Sequence, residues 1–536
     1  MSSSTPEEFD YVIVGGGVAG CVLANRLSED GRTTVLLLEA GISDKSRLIH
    51  TPAAVAKVWN NPKFNWSFYS EPEPYANNRV LFHPRGKVLG GSSSINMMSY
   101  VRGHRSDYDR WESLGAKGWS FDDILPYFRR SENFEWSNAY RGKGGPLQVS
   151  ISASPDEVYD AFLAAGKELG YPVQDDYNGP SQDGFAWMQL MTRRGRRSSA
   201  AAAYLRPALR RTNLTVRVCS HVEKVLLWGG EARGVAYRHR SAAASVTARR
   251  EVILSAGAFG SPQILMLSGL GPSAHLREHD IKVEHDLPGV GSNLRDHPQV
   301  NLTFSRRGRS RVTRELRLDR LAMGLAVNEM FGVGFASEAP GGVTAFVRSN
   351  PEEAIPDLEL FCIPASLESR PWLPPFTKPV DERIIIKPAL LRPESVGHVR
   401  LANSDPGAPP RILTNFLKEE IDRRALREGI RICRNLARTS AFSGLIDREL
   451  SPSVDVQTDA EIDAFVRQTV ETIFHPCGTC RMGQDDLSVV DPHLRVHGLK
   501  KLRVVDASVM PDHIGSTINT AVVAIAERAS DLIRNR

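Results

Sequence analysis

Residues 15–20 read Gly-Gly-Gly-Val-Ala-Gly. Glycines at that spacing let the backbone turn tightly and come close to a pair of phosphates. An acid, Glu39, follows about 20 residues after the last of them, where a carboxylate can accept hydrogen bonds from ribose hydroxyls. Together they offer the means to hold an adenine dinucleotide, and they leave NAD and FAD equally open. A second spacing, Cys477-Gly478-Thr479-Cys480, is that of redox dithiols and zinc sites. No second cysteine pair accompanies it, so no metal or dithiol role is expected. The chain's 6 cysteines are too thinly spread for a disulfide framework, which fits a reducing compartment.

These groups work only if placed by the right elements. Tyr11 to Val14 is a short β-branched apolar run, as expected of a buried parallel strand, and Cys21 to Leu27 reads as a helix. The glycine turn between them sets a pyrophosphate at the helix N-terminus, where free N–H groups point outward. Thr34 to Leu38 forms the next strand and delivers Glu39 at its end. The 67 basic and 62 acidic side chains leave a formal charge of only +5, which gives no ground for a nucleic-acid partner. Two arginine-rich stretches, Arg193 to Arg197 and Arg306 to Arg320, lack interleaved aromatics and read as solvated loops and helix faces. Met1 to Asp10 is polar and acidic, without the basic and apolar segments of a secretory signal. No apolar run approaches the ~20 residues of a spanning helix, so a cytoplasmic location without a membrane span is expected.

Further motifs run along the chain. Gly86-Lys87-Val88-Leu89-Gly90-Gly91-Ser92-Ser93-Ser94-Ile95-Asn96, with Tyr100 and Gly103 beyond, resembles the first signature of the glucose–methanol–choline (GMC) oxidoreductases. Gly257-Ala258-Phe259-Gly260-Ser261-Pro262-Gln263-Ile264-Leu265, ending in Leu267-Ser268-Gly269-Leu270-Gly271, resembles the second. Arg197-Ser198-Ser199, Ala203-Tyr204-Leu205, Asn213-Leu214, Gly289-Val290-Gly291, Asn293-Leu294 and Asp296-His297-Pro298 are similar to the family as well. So are His475-Pro476-Cys477-Gly478-Thr479-Cys480-Arg481-Met482-Gly483 and Val505-Asp506-Ala507-Ser508-Val509-Met510-Pro511. The motifs keep the family's order over nearly the whole chain.

The resemblance implies an α/β fold: a Rossmann-like FAD-binding domain of GMC type with an interleaved α+β substrate-binding domain. The first would be discontinuous, over residues 1–150, 205–300 and 466–536, and the second would take 151–204 and 301–465. The cofactor implied is FAD. The implied contacts are Gly15, Gly17, Val18, Ala19, Gly20, Glu39 and Ala40, then Trp66, Val88, Gly91, Ser92, Asn96, Met97 and Met98. Val222, Ala256, Gly257, Asp506, Ala507, Asn519 and Thr520 complete the set. Ser261-Pro262 reads as the opening of a helix with proline in its first turn. Some family members tether the flavin through a histidine just before the asparagine of the first signature. Ile95 stands there, and aliphatic carbon cannot form that bond, so the FAD is expected to be non-covalent.

An alcohol gives up hydride only if a group near its oxygen takes the proton or stabilises the alkoxide, a task that suits histidine. His475 aligns with the family's first catalytic residue. The second position, a histidine or asparagine in relatives, falls on Thr517, with Asn519 two residues on. Either Thr517 bonds the substrate and His475 works nearly alone, or a local shift gives Asn519 the partner role. Ser516 to Thr520 also reads as a polar lead-in with capping oxygens for a helix from Ala521 through Ile533. Phe474 and Phe361 are candidate apolar liners, with core packing the stronger expectation for Phe361.

The activity implied is choline dehydrogenase-like oxidation of a primary alcohol to an aldehyde by hydride transfer to flavin N5. The electron acceptor would be oxygen, a quinone or a carrier protein, and the resemblance leaves a homodimer open. Two rivals stand beside it: a hydroxynitrile lyase keeping FAD structurally, and a flavin-binding protein with little turnover. No acid can be assigned as a ligand for a quaternary ammonium group.

Overall fold

The computed structural model describes residues 7–339 and 341–534, so residues 1–6 of the polar N-terminal stretch lie outside the described residues. Among the described residues, one sheet has seven strands. Its parallel part runs Leu214–Arg217, Val35–Leu38, Glu8–Val14, Ala242–Leu254, and Leu502–Val504 pairs with the end of the last. Val12, Ile13, Leu36 and Leu37 are fully buried, as befits strands covered on both faces. The helix Val18–Leu27 crosses from the first strand to the second and packs on the C-terminal helix Asn519–Arg534.

A second, antiparallel sheet of eight strands includes Gly184–Trp187, Val343–Val347, Leu358–Ile363, Arg383–Leu390 and Leu302–Arg306. Pro298–Gln299 and Glu471–Thr472 pair at its margin. The helices Glu157–Glu168 and Glu420–Ala437 cover one face, burying Phe162, Leu426 and Ile430 against Leu358, Leu360 and Ile386. No helix among the described residues is long and apolar enough to cross a membrane.

The structure corrects three local expectations. Pro262 sits well inside the helix Gly257–Leu267, not in its first turn. Proline removes the N–H that would reach the carbonyl of Ala258, and the Thr479 hydroxyl donates to that carbonyl instead, at 2.6 Å. The polar stretch Ser516 to Thr520 does not cap the helix Asn519–Arg534: the Ser516 hydroxyl donates to Thr517 O, and the hydroxyls of Thr517 and of Thr520, the latter already inside the helix, have no partner among the described residues. Two arginines of the basic stretches are buried. Arg197 donates to the carbonyls of Ile49 and Asn96, and Arg306 pairs with Asp156 and Glu157.

Candidate active site

The carboxyl ends of the parallel strands open onto a cavity of about 530 Å³ that extends to Ile473, Phe474 and His475, just past the strand Glu471–Thr472. That volume falls in the roughly 300–1,000 Å³ range of cofactor and ligand sites. Of the expected contacts, Gly15, Gly17, Val18, Ala19, Glu39, Ala40, Trp66, Gly91, Ser92, Asn96, Met97 and Met98 line it. Val222, Ala256, Gly257, Asp506, Ala507, Asn519, Thr517 and His475 line it too. Gly20, Val88 and Thr520 are set back from the wall. A Cβ on Gly20 would stand 1.9 Å from Gly15 O, so this glycine lets helix and turn approach. Val88 packs with Ile49, Val58, Phe64 and Ile95. Phe474 is a liner, whereas Phe361 packs against the core.

The residues present suit a dinucleotide. Gly257 has φ +81° and nothing within 4 Å of a Cβ built on it, so open space faces its backbone. Asp506 fixes that turn by accepting from Gly257 N at 2.9 Å and from the Ser261 hydroxyl. Glu39 accepts from the amides of Gly16 and Gly41, each at 2.7 Å, and burial pushes its carboxyl up to about 7. The Ser99, Ser255 and Thr517 hydroxyls line the cavity without a protein partner, ready for a ligand. Arg197 clamps the loop carrying Asn96, whose side-chain oxygen accepts from both Arg197 and Met98 N.

At the other end His475 is one of three packed imidazoles. Asp296 pins two of them, accepting from His475 N at 2.8 Å and His297 N at 2.9 Å, with the Thr472 hydroxyl on its second oxygen. Arg85 donates to the carbonyl of Phe474. His297 Nε2 lies 2.9 Å from Leu391 O, which can only accept, so this nitrogen carries the proton. Burial, with His513 and His475 beside it, holds His297 far below its ordinary pKa and hence neutral. Its Nδ1 is then an acceptor, and the 3.1 Å contact with His475 Nδ1 requires the proton on His475. His475 Nε2 is thereby left with its lone pair and no protein partner, the tautomer of a general base. Burial first, then His513 and Arg85, keeps His475 well below its usual pKa. The third ring, His513, lies tilted by 32° against His297 at 3.6 Å between centroids and meets His475 O through Nε2 at 2.9 Å.

Sequence reasoning missed the parts played by His297, Arg85 and His513. His297 stands within the quoted Asp296-His297-Pro298 and Arg85 immediately before the first signature, and His513 had no signal beyond its place after Pro511-Asp512. Cys477 and Cys480 are free and buried, and burial pushes both thiols up, which makes them poor nucleophiles. Trp59 meets Phe474 edge-on at 5.9 Å, walling the cavity beside His475. The only carboxylates lining the cavity among the described residues are Glu39 and Asp506, both engaged by backbone amides of the glycine turns.

Two family models described as GMC oxidoreductase match residues 9–299 and 393–526. An oxygen-dependent choline dehydrogenase of Sinorhizobium fredii is 41% identical over 531 residues, covering 98% of this chain and 95% of the relative. Among solved structures, pyridoxine 4-oxidase from Mesorbium loti superposes with a TM-score of 0.88 at 32% identity, covering 98% of this chain and 99% of that one. A formate oxidase gives a TM-score of 0.91 at 30% identity, with 99% of both chains covered.

Proposed function

The chain belongs to the GMC oxidoreductase family, FAD-dependent enzymes of alcohol oxidation, and from that premise we propose that it oxidises a small uncharged primary alcohol to the aldehyde, with His475 as proton acceptor. The observation that carries this reading is the histidine pair, in which His297 fixes the Nδ1–H tautomer of His475 and leaves Nε2 bare. The alcohol hydroxyl binds at that nitrogen, and the unpartnered Thr517 hydroxyl steadies the same oxygen. Burial keeps His475 neutral and ready to accept. The imidazolium forms only as opposite charge grows on the neighbouring oxygen, so proton transfer is tied to the reaction itself. Bound FAD, held non-covalently beside Ile95, supplies the hydride acceptor. Asn519, whose amide meets Met191 Sδ at 3.1 Å, lines the cofactor side, and Thr517 takes the partner role.

The cavity argues for an uncharged substrate. A quaternary ammonium would find no carboxylate free to meet it, and beside His475 the aromatic rings of Trp59 and Phe474. Similarity to choline dehydrogenases favours choline as the second candidate. Anaerobic mixing of the yellow holoenzyme with aryl, pyridine-type and aliphatic primary alcohols, and with choline, decides between them. Bleaching of the oxidised-flavin band by an uncharged alcohol and not by choline is the expected result. Bleaching by choline alone overturns the substrate class, and bleaching by none of them moves the assignment to the lyase or to a flavin-binding protein with little turnover. Admitting air to the reduced enzyme then separates an oxidase from a dehydrogenase.

A further inference from the structure

The two arginine-rich stretches, far apart in the sequence, come together around one helix, Leu318–Phe331. That helix is apolar on nearly every side, yet Asn328 is the one residue of it that is buried. A helix of this composition belongs in an interior. Here Met323 is 69% exposed, Met330 66% and Phe331 69%. Beside its first turn the backbone of Leu316 and Leu318 pairs with Trp372, and the following loop holds out Phe376 at 82% exposure. An exposed apolar patch of this kind marks a contact surface.

The rim shows what the patch contacts. Exposed Arg309, Arg314 and Arg320 stand at its N-terminal end. At the C-terminal end the hairpin Arg193 to Arg196 packs on Gly332, so closely that a Cβ on this glycine would lie 2.6 Å from Arg194 O. Arg196 pairs with Glu329 and Arg317 with Asp319. Arg193, Arg194, Arg309, Arg314 and Arg320 have no carboxylate within ion-pair distance among the described residues. Pairing with a second copy about a two-fold axis would set arginine-bearing ends against each other, with too few acids to neutralise them. An anionic surface with an apolar interior meets both demands: phosphates take the arginines and acyl chains take the methionines and phenylalanines.

We propose that the helix Leu318–Phe331, with its arginine rim, docks the enzyme on an anionic phospholipid bilayer. The helix lies in the interface and does not span it. After the helix, the turn Phe335–Ser337 packs on Pro52–Ala54, and the chain runs from there through Val55–Trp59 into the cavity wall. Docking therefore brings the bilayer close to the wall of the reaction cavity, within reach of lipid-soluble alcohols or electron acceptors.

The test is flotation of the flavin-loaded enzyme with vesicles of phosphatidylcholine, alone or mixed with phosphatidylglycerol. The enzyme should float with the mixed vesicles and stay behind with the neutral ones, and added salt should release it. Arg320→Gln should lower partitioning about fivefold and Phe331→Ser about tenfold. Both variants should keep the flavin spectrum and the alcohol activity of the parent in solution. Absence of flotation with mixed vesicles at low salt overturns the proposal, as does undiminished flotation of both variants. Sedimentation showing a dimer that Phe331→Ser dissociates would also overturn it, assigning the patch to self-contact.

Discussion

At the level of single residues the site depends on which nitrogen holds a proton. Leu391 O fixes His297, His297 fixes His475, and the bare Nε2 follows from hydrogen-bond accounting. His475→Ala should retain FAD and lose about 10²–10⁴-fold in the rate of flavin reduction. The pH dependence has a definite sign. His475 lies well below the ordinary histidine value of 6.5, chiefly through burial, so it stays unprotonated as the pH falls through that value. The profile of kcat/KM should remain level there and decline only at more acid pH. An acid limb centred near 6.5 would show that the imidazole in the working enzyme is tuned like one in water. His297→Leu removes the acceptor for His475 Nδ1–H, so it should lower kcat and also move the acid limb. A merely structural defect would leave that limb in place. Thr517→Val deletes an unpartnered hydroxyl, and about 1.4 kcal/mol of lost hydrogen bonding corresponds to a tenfold fall in kcat/KM. His475 was legible because it stands in a motif, and Thr517 because its distance from the flanking motif puts it at the family's second catalytic position, where it departs from histidine or asparagine. The arrangement of His297 and His513 behind them was not, since contacts between distant segments leave no mark in local spacing.

At the level of elements, strands and helices were legible where period and punctuation agree. The glycine turn, the strand before it and the helix after it fall where the apolar runs place them. The misplaced start of Gly257–Leu267 shows the limit. Proline's preference for a first turn is a local rule, and here the Thr479 hydroxyl, from a distant segment, satisfies the carbonyl that an interior proline strands. The unpartnered Thr517 hydroxyl just ahead of Asn519–Arg534 illustrates the same limit, because a residue type that usually caps a helix here lines the cavity. Gly20 makes the element-level prediction. A methyl group at this position would stand 1.9 Å from the backbone oxygen of Gly15, and backbone cannot yield as a flexible side chain does. Gly20→Ala should therefore force the helix Val18–Leu27 away from the turn and yield protein with little bound flavin. The ratio of flavin to protein absorbance after purification measures it, and a normal ratio would show that the turn does not depend on this approach.

Across the whole molecule, the cavity wall includes Ile473, Phe474, His475 and Pro476, which follow directly on the second sheet's marginal strand Glu471–Thr472, so whatever couples the layers also holds the site. One coupling is a buried charge cluster. Glu132, which follows the helix Phe121–Ser131 packed on the C-terminal helix, accepts from Arg102 at 2.5 Å and from Arg141 at 3.1 Å. Arg141 reaches on to Asp176 at 2.7 Å and Gln189 at 2.9 Å, in the segment that flanks the second sheet's strand Gly184–Trp187. Burial works against ionisation of Glu132, yet the two guanidiniums outweigh it and hold its carboxyl below the ordinary 4.5. Its folded pKa is thus the lower one, so its contribution to stability is complete above pH 4.5 and is lost as the pH falls through the folded value. Glu132→Gln leaves Arg102 and Arg141 buried around a neutral amide. Breaking a buried pair in this way costs about 3–5 kcal/mol, far more than a surface pair is worth. The variant should release its flavin at a lower temperature, read by the rise in flavin fluorescence on heating, and its release temperature should depend less on pH below 4.5 than the parent's. Unchanged release would mean that the layers are held by apolar contact alone, with the charge cluster a passenger between them.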